Sequence, residues 1–389
     1  AGYHADVWGS EALSGPRAVQ RRRPHARLDP PGQHEITTIK DSPGVTMQVE
    51  AHFESGGFAA LRPEWNELLR DSCCNTIFLT WQWQTTWWKH LGEGDLLLLG
   101  FRSDDGRLVA LAPLYYDKSD PGRRVIRMIG CRDVSDYLDI IVSSGHEEAV
   151  FSRLLSYLST EAEPWDALDL CNIPQSSQTF VRLQGMAEAE GYQTVVEVED
   201  VCPIIPLPGT WDEYLMMLDK KQRHEVRRKL RRAEDAGTRF LIVGPEDDLQ
   251  AEMRAFIELH QKSTPEKDAF MDPQMQGFFL DVAETLHQEG WLQLAFVEME
   301  GERSASLLNF DYDNAILVYN SGYDPASFRH LSPGIIVTAQ CIENAIKLGR
   351  DRFDFLRGGE EYKYRFGAQD TRVRRLLIGR PGVELQAVC

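Results

Sequence analysis

From residue 58 onward the chain alternates between segments with apolar residues at helical spacing and short runs that are almost wholly apolar. Phe58, Leu61, Trp65, Leu68 and Leu69 recur three or four apart, which gives a helix one apolar face. A second, aromatic helix carries Trp81, Trp83, Trp87 and Trp88. Residues 95–102 then read as a buried strand, Asp104-Asp105-Gly106 as a hairpin turn, and residues 108–116 as the returning strand. Shorter strands are expected at 125–129 and 137–142, a helix at 147–158 and a strand at 167–170. A helix at 180–190, ended by Gly191, and a strand at 194–198 complete the set.

The same order then returns. Helices are expected at 248–260 and 275–289, with a polar loop between them, and a strand at 291–298 turns at Glu300-Gly301-Glu302 into another at 305–312. A strand at 316–319, a helix at 333–348, a strand at 352–356 and a last strand at 373–378 follow. An antiparallel meander, then helix, strand, helix and strand, appears twice, which indicates duplication and mixed α/β sheets. The expected division is a disordered or non-native extension at 1–46, one half at 47–202 and a second at 203–389, with a hinge around Pro203, Pro206, Pro208 and Gly209.

Composition narrows the function classes. The 389 residues carry 60 acidic and 42 basic side chains, a net charge of −18 that disfavours binding along a nucleic-acid backbone. The seven cysteines are scattered, with no CxxC pair and no Cys/His cluster at zinc spacing, so free thiols in a reducing cytoplasm and no metal are expected. No apolar run reaches the ~20 residues that span a bilayer, and the Arg- and Pro-rich first 46 residues do not read as a signal peptide.

Three segments concentrate chemistry. Gly322-Tyr323-Asp324-Pro325 is followed by Ser332-Pro333-Gly334 opening a helix, with Ser332 suited to the N-cap and Pro333 to the first turn. Such a helix start offers free N–H groups and partial positive charge to a diphosphate, although a packed helix can begin the same way. In the second segment, residues 354–367, a strand feeds a glycine pair and then a run of titratable and aromatic groups. There Lys363 can neutralise a phosphate or an oxyanion, and Glu360 or Glu361 can accept a proton. In the third, residues 220–232, eight basic residues stand against one acidic residue on an expected helix whose buried stripe is Leu218, Val226 and Leu230. That segment is either a solvated face or a contact for an anionic ligand. No GxSxG elbow, P-loop, GxGxxG after a strand or HExxH is present.

The stretch NSGYDPASFRHLSPGIIVTAQCIENAIKLGRDRFDFLRGGEEYKYRFG resembles the CelD/BioF-like acetyltransferases of the GNAT superfamily, which are similar in turn to the Fem-type peptidyltransferases. The resemblance runs from about Gln48 to the C-terminus and is sharpest over residues 291–367. It implies an α/β fold of tandem GNAT-like halves around a central groove. The N-terminal half would be a degenerate copy that shapes the acceptor groove, and the second half would hold the acyl donor. It further implies acyl transfer from acetyl-CoA or another acyl-CoA to an amine or hydroxyl of a small-molecule, nucleotide-linked or envelope-polysaccharide precursor. An aminoacyl-tRNA-dependent peptidyl transfer and a non-catalytic scaffold in polysaccharide assembly are the alternatives.

By that resemblance, Leu331, Ser332, Gly334 and Ile335, with Arg329, contact the donor diphosphate. The usual Q/R-x-x-G-x-G/A loop is reduced here to a single glycine, Gly334. Lys363 lies in a match to the Fem-type F-K-x-x-F-G pattern and assists transfer. Glu361 or Asp354 is the proton acceptor, and the chain near Tyr323 faces the oxyanion. Arg223, Arg227, Arg357 and Tyr362, with Asp136 and Tyr137 of the first half, contact the acceptor. A tRNA acceptor end is the one nucleic-acid partner kept open.

Overall fold

A computed structural model describes residues 35–37, 47–131, 134–326, 328–383 and 385. Two units divide the chain: an N-terminal one of Val19–Asp200 with Arg372–Cys389, and a C-terminal one whose described part is Val201–Thr371.

In the N-terminal unit, β1 (Glu35–Thr37) pairs antiparallel with β2 (Gln48–His52) and is the described part of the first 46 residues. The apolar stripe from Phe58 forms α1 (Gly56–Asp71), and each of its five residues is buried. Helix α2 (Trp81–Leu91) starts at Thr80, whose hydroxyl accepts from the Trp83 N–H at 3.2 Å. The expected hairpin forms from β3 (Gly94–Arg102) and β4 (Leu108–Asp117), with Leu97 opposite Leu114. Strands β5 (Val125–Met128) and β6 (Ile141–Val142), helix α3 (Glu147–Thr160), strand β7 (Ala167–Pro174) and helix α4 (Gln184–Ala189) follow. The strand expected at 137–142 shrinks to its last two residues, because the Asp139 carboxylate takes the Ile140 N–H at 2.9 Å in place of a ladder partner.

The strand expected at 194–198 is far longer: β8 (Gln193–Pro206) runs through the proposed hinge prolines. Proline is compatible with a strand where its missing N–H is not called on, and the Pro203 carbonyl still accepts from the Phe355 N–H at 2.9 Å. Beyond Asp200 this strand belongs to the C-terminal unit.

That unit adds α5 (Trp211–Met217), α6 (Lys220–Asp235), β9 (Arg239–Ile242), α7 (Leu249–Ser263), α8 (Pro265–Phe270) and α9 (Pro273–Gln288). The meander β10 (Leu292–Met299), β11 (Glu302–Tyr312) and β12 (Ala315–Tyr323) comes next. Helix α10 (Pro333–Lys347), strand β13 (Arg352–Asp354) and helix α11 (Glu361–Arg365) complete it, and strand β14 (Gln369–Gly379) follows in the chain. The polar loop expected after α7 is helix α8, started by Thr264, whose hydroxyl accepts from the Lys267 N–H, with Pro265 in the first turn.

The duplication is visible in strand order. The C-terminal unit runs β9-β10-β11-β12-β13-β8, and the N-terminal unit runs β2-β3-β4-β5-β7-β14, with one parallel pair in each, β12–β13 and β5–β7. The last strand, read above with the second half, therefore pairs with β7 from Val373 to Gly379 and completes the first unit. The end of β8 plays the same part beside β13.

Candidate functional site

Strand β12 has two partners over only part of its length. Beside β13 it is paired at Ala315, Ile316 and Leu317, and there β13 ends at Asp354. The chain beyond β13 stays on β8, through the Phe355 N–H to Pro203 carbonyl bond (2.9 Å) and the Gly358 N–H to Val201 carbonyl bond (3.0 Å). Strand β12 continues along β11 to Tyr323, with an irregularity at Leu308/Asn309 that leaves Tyr319 unmatched. The sheet therefore opens between β12 and β13.

At that start, Ser332 does not act as a side-chain cap. Its backbone is left-handed, with φ 59°, and no cap hydrogen bond forms. Its hydroxyl accepts instead from the Lys229 Nζ at 2.9 Å. Lys229 comes from α6, whose inner stripe holds buried Val226 and Ala233, with Leu230 packed against the same core as Ile336 and Val337 of α10. Withdrawal from water lowers the Lys229 pKa, against the pull of Glu225 at 3.5 Å. The positive charge on this helix start thus comes from Lys229 in the basic segment 220–232, read above as either a solvated face or a contact for an anionic ligand. Its spacing was the available signal, since Val226, Lys229 and Ala233 are three and four apart.

Residues Leu331, Pro333 and Gly334 are buried at the same point, and the Ile335 N–H bonds the Ser332 carbonyl at 3.0 Å. The Arg329 side chain lies outside the described residues.

Lys363 is 3 % exposed, and its ammonium is surrounded. It donates to the carbonyls of Phe355 (3.2 Å), Arg357 (2.9 Å) and Gly358 (2.8 Å), and Glu360 Oε2 lies 2.8 Å away. Three N–H bonds and one carboxylate leave this ammonium no donor to direct at a substrate, so it clamps the turn after β13. Asp354, 2 % exposed, holds the same turn, where its Oδ1 accepts from the Leu356 N–H at 2.7 Å and Leu356 has φ 56°. Glu361 points outward, 79 % exposed, and pairs with Arg365 at 2.9 Å. The three expected proton-handling residues are therefore not brought together around one open point.

A different lysine stands at the open strand. Lys267 of α8 donates to the Ser321 carbonyl at 2.6 Å and to the Ser321 hydroxyl at 3.0 Å, past Leu317, the last β12 residue paired with β13. Burial pushes its pKa down to about 8, with Glu360 the opposing influence. His260 of α7, 1 % exposed beneath it, is held neutral by burial first and then by the Lys267 charge, with its pKa pushed down to about 3. Gly322 permits this approach of α7, since a Cβ there would lie 2.5 Å from the His260 backbone nitrogen. Sequence reasoning missed Lys267 because it sits in the segment read as a loop.

Residues 220–364 match the model of the acetyltransferase (GNAT) domain, a span that lies within the C-terminal unit. The chain has a GNAT-superfamily fold. It is similar to the crystal structure of FemX, at 15% identity and a TM-score of 0.61, over 84% of this chain and 96% of that one. It is also similar to L-PGS from Bacillus licheniformis (12% identity, TM-score 0.51, 83% and 93% covered). A third likeness is to a conserved protein of unknown function from Bacteroides thetaiotaomicron (11% identity, TM-score 0.53, 82% and 97% covered). At such identities these likenesses are of fold. No curated protein matches the chain.

Within the GNAT domain the remaining expected contacts are dispersed. Arg223 lies against the Met216 sulfur at 3.5 Å, and Arg227 is 3.7 Å from Asp212. Tyr362 stacks edge-on against Phe355, and burial followed by the Glu360 charge raises its pKa. Arg357 contributes its carbonyl to the Lys363 clamp. The Tyr323 N–H donates to the Ser263 hydroxyl at 2.9 Å, so this amide is already engaged.

In the N-terminal unit, Tyr137 meets Phe78 edge-on and Asp136 is half-buried beside it. The expectation of free thiols is corrected in one place: Cys131 and Cys171 form a disulfide, with Cα atoms 5.8 Å apart where β7 lies next to the chain leaving β5. Cys73, Cys74, Cys202 and Cys341 are free.

Asp139, 3 % exposed, accepts from the Ser177 hydroxyl at 2.5 Å, yet burial raises its pKa from 3.8 to about 6. Between those values the folded state holds a proton that the unfolded chain has released, so this contribution is present in acid and is lost as pH rises through 6. Asp139→Asn is expected to be more stable than the parent by up to about 3 kcal/mol near pH 8, with the gap closing below about pH 4. Urea melts at the two pH values measure it, and an unchanged difference between them would contradict the assignment.

Proposed function

We propose that the C-terminal unit transfers an acyl group from an acyl-CoA, acetyl-CoA first among them, to an amine or hydroxyl acceptor. The observation that carries this reading is the joint placement of the opened β12 edge and the α10 start, with Lys229 fixed at Ser332. The residues present suit the donor: a helix start and a half-buried ammonium favour a diphosphate, and an open strand edge suits an extended amide-bearing arm. The GNAT domain match supports the same reaction class.

The acyl-CoA supplies the thioester. An attacking amine forms the new N–C bond as the C–S bond breaks, so one proton must leave the nitrogen and one must reach the thiolate. Lys267 is the group we assign to proton transfer, because a pKa near 8 gives it both forms close to neutrality. Lys363 and Asp354 hold the turn that faces β12, and they act as positioning residues.

A calorimetric titration with acetyl-CoA tests the reading. Binding is expected, and Lys229→Met should weaken it by about tenfold, the worth of a partly desolvated charge-assisted contact, with an unchanged melting temperature. No heat with the parent protein, or equal affinity in the variant, would remove the proposed donor site.

A further inference from the structure

Helices α5 and α6 meet at an exposed corner that the proposed transfer chemistry does not use. Met216 is 66 % exposed and Met217 52 %, and they are the one consecutive pair among the exposed large apolar side chains of the described residues. Methionines are flexible apolar groups, and keeping two side by side in water is unfavourable.

Around this pair the charge of the protein reverses. The whole chain carries −18, yet residues 216–232 hold eight cations against Asp219 and Glu225. Arg223 touches the Met216 sulfur, and Lys220, Lys221 and Arg227 are exposed on the same stretch, with Asp212 lying 3.7 Å from Arg227. Lys229 alone turns inward to Ser332, so the outer cations of α6 are not committed to the α10 start.

We infer that this corner docks the protein on an anionic lipid surface, with Met216 and Met217 entering the headgroup layer and the surrounding lysines and arginines meeting lipid phosphates. The two features select the occupant together. A nucleic-acid backbone satisfies the cations and offers the methionines nothing, whereas a lipid interface satisfies both. The rest of the acidic surface is repelled by such a membrane, which orients the protein with this corner inward. No helix of the described residues is long and apolar enough to cross a membrane, and the proposed contact is made by side chains of α5 and α6.

Sedimentation of the full chain with vesicles tests the inference. Vesicles of equal parts phosphatidylglycerol and phosphatidylcholine are expected to carry the protein down, and phosphatidylcholine alone is not. Raising the salt should release it. Arg223→Glu with Arg227→Glu is expected to reduce binding by on the order of tenfold or more, and Met216→Ser with Met217→Ser by a smaller, salt-independent factor. Circular dichroism and melting temperature establish that both variants fold. Failure of the parent to bind the anionic vesicles overturns the inference, as does binding that survives both pairs of changes. Capture of a duplex RNA that ignores the methionine changes, with no vesicle binding, would assign the patch to nucleic acid instead.

Discussion

Asp169→Asn is expected to lower the stability of the N-terminal unit by about 3–5 kcal/mol, the cost of breaking a buried ion pair from one side. Asp169 is fully buried on β7, and it receives Arg127 from β5 and Arg375 from β14. Arg375 approaches with Nε and Nη2, each 2.7 Å from a carboxylate oxygen, while the Arg127 Nε also reaches Asp117 of β4 at 2.8 Å. Four strands thus share one buried network, and removing the central charge takes the shared carboxylate from two guanidinium groups that are each 11 % exposed, leaving Arg127 with Asp117 and Arg375 with Glu197 at 3.8 Å. A shift of this size lowers the melting temperature by roughly 10 °C in a unit of this length. Asp313→Asn supplies the contrast, because its pair with Arg352 at 3.3 Å is 40–43 % exposed. It should cost less than about 1 kcal/mol. Equal effects from the two substitutions would mean that burial is not what gives the network its weight.

Lys363→Met is the second large effect, and its signature separates two roles. Methionine keeps the length of the side chain and removes all three donors. The carbonyls of Phe355, Arg357 and Gly358 then lose their partner in a buried turn, and Glu360 loses the ammonium 2.8 Å away. Unsatisfied buried groups cost about 1–3 kcal/mol each, less than additively, so a loss near 3–4 kcal/mol is expected in the C-terminal unit. Turnover should fall as well, since the turn that faces β12 is no longer held. A lysine acting directly on substrate predicts a different pattern, in which turnover falls while the melting temperature stays put. That pattern would return Lys363 to the reacting centre, and Glu360→Gln, which retains hydrogen bonding, should show the milder form of either outcome.

The contrast between the two lysines shows why the site was only partly legible in the sequence. Lys363 sits in a recognisable pattern, and the pattern marks a real device, but only the tertiary structure reveals that the device is a clamp. Its three acceptors belong to a turn made when the chain beyond β13 follows β8. Lys267 sits in no pattern. Its importance comes from α8 packing beside the open end of β12, which puts an ammonium on Ser321 while burial lowers its pKa. Local residue order contains no information about that approach, because the two segments are 54 residues apart.

What the sequence by itself determined is the set of elements and their repetition. Apolar periodicity places α1, α2, α7, α9 and α10, and the hairpin turns place β3 with β4 and β10 with β11, because those signals are local and each element must bury one face. What only the tertiary structure decided is which strands complete which sheet and where charge converges. Strand β8 runs through its prolines from one unit into the next, and β14 returns to the first, since the edge left open beside β7 and the one beside β13 each need a ladder partner. The start of α10 was visible as a helix start in Ser332-Pro333-Gly334. Its charge was not, because Lys229 reaches Ser332 only once α6 lays its apolar stripe against the same core.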